Sequence, residues 1–130
     1  MTACELSTIA QEKIKINIAI INNGYLGMVR QWQERFYDKN YECTPLLSPD
    51  FVKLADAHGI AGATARTRGE AVAAIEAARK HEGAFLIDFR VEQEDSVYPM
   101  VPAGAALHEM IRRPQSKPRN NPLVETASDA

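Results

Sequence analysis

Residues Ile20–Gln33 read IINNGYLGMVRQWQ. An apolar run halts at Asn22 and Asn23, Gly24 follows, and apolar residues then return at helical spacing. The run begins further back, as IKINIAII from Ile14 to Ile21. Ile16, Ile18 and Ile20 point one way, Ala19 and Ile21 the other. Both faces are apolar, which suits a buried parallel strand better than a half-wet antiparallel one. LGMVRQWQERFYD, from Leu26 to Asp38, reads as a helix. Leu26, Val29 and Phe36 form its expected core stripe, with Met28 and Trp32 on an adjoining face. The stretch is therefore strand, turn, helix, with asparagine amides and a glycine at the corner.

Outward from this corner the chain keeps alternating. ACELSTIAQEK before it reads as a helix, with Thr2 as a candidate N-cap. After it, YECTPLLSPD carries two prolines and reads as a loop. Asp50 or Ser48 then starts a helix over DFVKLADAHGI, with Phe51, Leu54 and Ala55 inward and Gly59 closing it. AGATART is a weak strand, GEAVAAIEAARKHEG a strong helix closed by Gly83, and AFLIDFRV a buried strand. A loop, EQEDSVYPMVPAG, leads to a short last helix over AALHEMIRR, and a polar, proline-bearing tail runs from Pro114. The expected class is α/β: an open, mostly parallel sheet with helices on both faces. Residues 1–113 form the expected domain and 114–130 a flexible tail. Because the chain opens inside a helix, the sheet is expected to be incomplete.

Composition narrows the function. The chain has 130 residues and a formal net charge of -2, which gives no electrostatic case for nucleic acid or an anionic membrane. No apolar run reaches the roughly 20 residues needed to span a bilayer, and the first residues lack a secretory pattern. Cys4 and Cys43 read as free thiols of a reducing, cytoplasmic setting. His58, His81 and His108 form no metal-ligand spacing with one another or with the cysteines.

The corner itself carries chemistry. An asparagine side chain offers a hard oxygen suited to Mg²⁺ or Ca²⁺, and glycine lets backbone approach a ligand. A helix that starts just beyond aims free N–H groups at the space above the strand end, which suits a phosphate. Ligands of open α/β sheets bind at such carboxyl ends. Asn23 alone is too little for a metal, so a carboxylate is needed from elsewhere. The plainer alternative stays open on these residues: Asn-Gly is a common turn pair, and Met28 and Trp32, four apart, share a face as core residues also do.

The longer stretch ELSTIAQEKIKINIAIINNGYLGMVRQWQERFYD resembles the thiamine-diphosphate-binding domain of acetolactate synthase (acetohydroxyacid synthase) large subunits. SPDFVKLADAHGI and FLIDFRVEQEDSVYPMVPAGAALHEMI resemble the same family, in the same order, up to Arg113. The family's cofactor motif opens with Gly-Asp-Gly and closes with paired asparagines. Here Asn22 and Asn23 match the closing pair, no Gly-Asp-Gly is present, and only 22 residues precede Asn23. The resemblance therefore implies a C-terminal piece of a longer chain, truncated at its N-terminus.

The resemblance also implies roles. Asn23 supplies a side-chain oxygen to Mg²⁺ and Tyr25 its backbone carbonyl. Backbone around Gly24, Leu26, Gly27 and Met28 lies against thiamine diphosphate. Trp32 lines the channel of the second 2-ketoacid, with Met28 beside it, and Ala103 falls where the C-terminal segment approaches. The implied reaction joins pyruvate to pyruvate or 2-ketobutyrate with loss of CO₂, in branched-chain amino-acid biosynthesis. The carbanion chemistry is the cofactor's own. The catalytic glutamate and the FAD-binding domain of the family have no counterpart in this sequence, so no catalytic residue is assigned and the chain alone is expected to be inactive. Implied partners are the rest of the large subunit, in a homodimer or tetramer, and a regulatory small subunit. Two other readings stand beside this one: another thiamine-diphosphate-dependent carboligase, oxidase or decarboxylase, and a non-catalytic half-domain that only binds the cofactor.

Overall fold

The strand that ends in Asn22 lies at the edge of a parallel sheet. A computed structural model describes residues 3–94 and 96–114. The chain divides into two compact units, Met1–Ser96 and Val97–Ala130. The first unit runs α1 (Glu5–Gln11), β1 (Asn17–Asn22), α2 (Gly27–Phe36), α3 (Phe51–Ala57), β2 (Ala61–Ala65), α4 (Arg68–Lys80) and β3 (Phe85–Arg90). The strands are ordered β1-β3-β2 and all pair parallel, with Ile20 opposite Asp88 and Asn22 opposite Arg90. The open, parallel α/β class expected from the alternation is what forms.

β3 is central, and its side chains divide the core by parity. Ala84 and Leu86 join Leu6, Ala55 and Ile60 on the face covered by α1 and α3. Phe85 and Ile87 join Ala65, Ala74 and Ala78 on the face covered by α4. Helices therefore cover both faces. β1 is different: Ile18 and Ile20 are half-buried toward α1 and α3, while Ala19 and Ile21 are exposed, Ile21 at 68%. The expectation of a strand buried on both faces fails there, because no helix among the described residues covers β1 on the α4 side. No strand among the described residues pairs with its outer edge.

Helix ends follow local chemistry. α1 and α3 both close with paired amide bonds, Ile14 N–H to Ile9 and Lys13 N–H to Ala10, and Ile60 N–H to Ala55 and Gly59 N–H to Asp56. This is the Schellman pattern. Gly59 takes the left-handed position at φ +75°, as expected, but after α1 that position falls to Lys13 at φ 52°. The stop at Lys13 delays β1 to Asn17, three residues later than its apolar pattern begins. Asp50 caps α3 by accepting the Lys53 N–H at 3.0 Å. α4 starts with a capping box: Thr67 Oγ1 accepts the Glu70 N–H, and the Glu70 carboxylate accepts the Thr67 N–H. It ends at Lys80 on an extended His81, so Gly83 does not cap it.

The second unit is irregular. AALHEMIRR forms one 3₁₀ turn, Leu107–Glu109, instead of the expected helix. Ile111 is taken instead by a two-way backbone bridge to Met100, and Arg113 stacks on the Tyr98 ring at 5.4 Å. Ala103 is exposed in this unit. The expectations for Thr2 and for the tail beyond Pro114 lie outside the described residues. No helix among those residues is long and apolar enough to cross a membrane.

Candidate functional site

The corner after β1 is held by its own amides. Asn22 Oδ1 accepts the Gly24 N–H at 3.1 Å, and Asn23 Oδ1 accepts the Tyr25 N–H at 3.0 Å. Two overlapping Asx turns thus fold the chain back on itself. Gly24 sits at φ +72°, a left-handed conformation costly for a side chain. A neighbouring loop then clamps the turn: Leu26 N–H donates to Thr44 carbonyl at 2.9 Å and Leu46 N–H to Gly24 carbonyl at 2.8 Å. These bonds bridge Tyr25 to Pro45 without using the Tyr25 carbonyl. Thr44 is fully buried, and its hydroxyl donates to Gln33 Oε1 at 3.1 Å.

α2 leaves this turn with Leu26 as an N-cap that makes no side-chain bond. Its first backbone bond runs from the Arg30 N–H to Leu26 carbonyl. The Gly27, Met28 and Val29 amides therefore precede the hydrogen-bonded ladder, in the place where a helix attracts an anion. A Cβ on Gly27 would stand 3.1 Å from Asn23 Nδ2, so the glycine keeps this corner open. Asn23 Oδ1 spends one lone pair on Tyr25 and keeps the other.

These residues fit part of a metal–diphosphate site. Two hard oxygens, Asn23 Oδ1 and the Tyr25 carbonyl, belong to one turn, and uncapped amides follow. Mg²⁺ takes six oxygens. Among the described residues there is no group of three or more His, Cys, Asp or Glu able to hold a metal. Further ligands would come from the diphosphate, from water and from other chain.

α2 reverses the expected orientation. Leu26, Val29 and Phe36 are 44%, 48% and 41% exposed, while Arg30 and Gln31 are buried. The apolar stripe is real, but it is exposed, so the core-stripe expectation is wrong. Met28 and Trp32 lie on this open side. They line a groove of about 580 Å³ with Val29, Tyr37, Asn40 and Glu42. The Trp32 ring meets Phe36 edge-on, centroids 5.4 Å apart. A core role for Met28 and Trp32 is thereby removed for this chain.

Several groups at the site carry no motif. Thr44 and Gln33 brace the loop beside the corner, and Arg30 is buried near it with Tyr41 alongside; only the folded chain reveals them. Asp88 is 1% exposed near the carboxyl end of β3, with Oδ2 2.9 Å from Arg90 Nε and Oδ1 unpartnered. Asn22 Nδ2 is also buried, and neither of these atoms has a partner among the described residues. Cys4 and Cys43 are free and exposed, as expected. His58 meets Ser7 Oγ through Nδ1 at 2.9 Å, and His81 packs on Phe85; neither approaches a metal set.

Comparison with known proteins agrees with this geometry. The chain is 42% identical over 111 residues to the mitochondrial acetolactate synthase of Schizosaccharomyces pombe, covering 85% of this chain and 17% of that protein. It is 42% identical over 113 residues to the acetolactate synthase large subunit of Porphyra purpurea, covering 85% and 19%. The chain thus spans about a fifth of the length of these relatives. Among solved structures it is similar to a thiamine diphosphate-dependent 4-hydroxybenzoylformate decarboxylase of Rhodococcus jostii RHA1, with TM-score 0.64, 28% identity, and coverage of 72% of this chain and 18% of that one. Residues 1–89 match the family described as thiamine pyrophosphate enzyme, C-terminal TPP binding domain. A parallel sheet ending in an Asn-Asn-Gly turn, an uncapped helix beyond it and this match agree: the chain belongs to the C-terminal TPP-binding domain family of thiamine pyrophosphate enzymes.

Proposed function

We propose that this chain is the C-terminal part, residues 1–113, of the cofactor domain of an acetolactate synthase large subunit. The reading rests above all on one observation: the turn Asn22–Tyr25 lies at the carboxyl end of β1 and feeds the uncapped start of α2. In it, Asn23 Oδ1 and the Tyr25 carbonyl ligate Mg²⁺. The backbone of Gly24, Leu26, Gly27 and Met28 faces thiamine diphosphate, and the first amides of α2 meet the diphosphate charge. When bound, the cofactor supplies the carbanion chemistry that couples decarboxylation to carbon–carbon bond formation. This chain's share is to hold the metal, orient the diphosphate and wall the substrate space with Met28 and Trp32.

The substrates in this reading are pyruvate and a second 2-ketoacid, pyruvate or 2-ketobutyrate. The remainder of the large subunit supplies a carboxylate ligand, the catalytic glutamate and FAD binding. The assembly is a homodimer or tetramer with a regulatory small subunit, and its compartment is the cytoplasm, which the two free thiols favour. Neither nucleic acid nor a membrane is a partner. The 130-residue chain by itself forms no acetolactate.

The test is product analysis. The longer protein carrying this segment, given pyruvate and 2-ketobutyrate, should form acetolactate and acetohydroxybutyrate. Its Trp32→Leu variant should shift the ratio away from acetohydroxybutyrate by about tenfold, roughly 1.4 kcal/mol of discrimination. Oxidation or simple decarboxylation of pyruvate as the main outcome would favour another thiamine-diphosphate enzyme. Acetolactate from the 130-residue chain alone would refute the division of labour.

A further inference from the structure

One buried charge near the site has no part in the roles above. Arg30 is 7% exposed, whereas Leu26, Met28, Val29, Trp32 and Phe36 around it in sequence lie open. Burying an arginine carries a desolvation cost of several kcal/mol unless its surroundings compensate. Its carboxylate neighbours are distant: Glu34 at 3.8 Å and Glu94 at 3.7 Å, too far for hydrogen bonds. Its Nε has no partner among the described residues. Two aromatic faces lie against the guanidinium as well. The guanidinium carbon lies 5.2 Å from the Tyr25 ring centroid and 4.7 Å from that of Tyr41. A flat, weakly hydrated cation suits such stacking, and an ammonium does not match its shape.

The two rings come from the two segments that form the corner. Tyr25 is in the turn itself, and its carbonyl is the proposed metal ligand. Tyr41 precedes Thr44 and Leu46, whose backbone bonds hold that turn. Arg30 lies in the first turn of α2, between the two tyrosines in sequence.

We propose that Arg30 is the positioning residue of this site: its guanidinium, lying over the rings of both Tyr25 and Tyr41, ties the metal-ligating turn to the 41–46 loop before any ligand arrives. The inference rests on the cofactor reading for its purpose, and on the stacking geometry alone for the clamp. Preorganised ligands bind more tightly because the ordering cost is met in folding.

Arg30→Lys keeps the charge and loses the flat face; Arg30→Met keeps reach and loses both. Amide exchange is measured on the ligand-free chain. In both variants the Leu26 and Leu46 amides should exchange at least about tenfold faster, with Leu86 and Ile87 in β3 unchanged. Tyr41→Leu should reproduce this pattern, and Tyr41→Phe, which keeps the ring, should not. Mg²⁺ is then titrated with thiamine diphosphate present, followed by the fluorescence of Trp32, the only tryptophan. Half-saturation should rise about tenfold in Arg30→Lys. Unchanged exchange at Leu26 and Leu46, equal acceleration in β3, or equal damage from Tyr41→Phe would overturn the clamp. A wild-type chain with no Mg²⁺ response would mean that the carboxylate from the rest of the large subunit is needed for the metal, and the exchange pattern would still decide the clamp.

Discussion

A Cβ on Gly27 would stand 3.1 Å from Nδ2 of Asn23. That distance is tight enough to push the amide by a few tenths of an ångström, and its Oδ1 moves with it. Gly27 is the first residue of α2 and has no positive φ, so alanine there suits the helix better. Gly27→Ala should therefore raise thermal stability slightly, by roughly 0.5 kcal/mol, while weakening Mg²⁺-dependent cofactor binding about tenfold. Calorimetry and a thermal melt on the same sample separate the two effects. Equal losses in both would mean that the glycine is needed only for folding.

Thr44 is the buried pin of the loop beside the turn. Its hydroxyl donates to Gln33 Oε1, and Gln33 Nε2 donates to the Glu42 carbonyl at 2.9 Å. Thr44→Val preserves shape and removes the donor, leaving the Gln33 oxygen short of a partner. The expected loss is about 1–2 kcal/mol in urea unfolding with an unchanged slope. A neutral effect would mean that water replaces the hydroxyl.

The Asp88–Arg90 pair is asymmetric. Asp88 is almost fully buried, whereas the Arg90 side chain is 38% exposed. Removing the arginine strands a buried carboxylate, so Arg90→Ala should cost roughly 3 kcal/mol. Asp88→Leu removes the burden together with the charge and should cost less. Denaturation of both variants checks the order, and the reverse order would contradict it.

Acid should loosen the helix starts. Glu70 is held below the ordinary glutamate pKa, first by the Arg66 N–H and then by the Thr67 N–H. Asp50 is held below the ordinary aspartate value, chiefly by the Lys53 N–H. A depressed carboxyl pKa gives stability that is complete above the unfolded value, about 4, and vanishes as pH falls through the folded value. Glu70→Gln should lower the melting temperature at pH 7 and match wild type at pH 2. A gap that persists at pH 2 would assign the effect to shape instead of charge.

The class of fold was legible because β-branched runs and helical spacing alternate, and because Asp50 and Gly59 punctuate α3 in chemically clear ways. The corner was legible through Asn22, Asn23 and Gly24, whose residue types restrict the turn. The orientation of α2 was not. Periodicity locates the stripe of Leu26, Val29 and Phe36 but says nothing about which side the rest of the chain covers, and the chain buries Arg30 and Gln31 instead. The Arg30 stack escaped for a related reason: Tyr25 and Tyr41 are sixteen apart and meet only once the loop has closed. The last helix failed because a backbone bridge to Met100 takes Ile111, which the helical pattern had claimed.

The most direct measurement is calorimetric titration of the longer protein carrying this segment with thiamine diphosphate and Mg²⁺, alongside Asn23→Ala. Mg²⁺-dependent binding is expected, weakened at least about tenfold in the variant, roughly 1.4 kcal/mol, with circular dichroism unchanged. Binding of equal strength in the variant, or no binding by a chain that circular dichroism shows to be folded, would contradict the claim that this turn is a metal–diphosphate cradle.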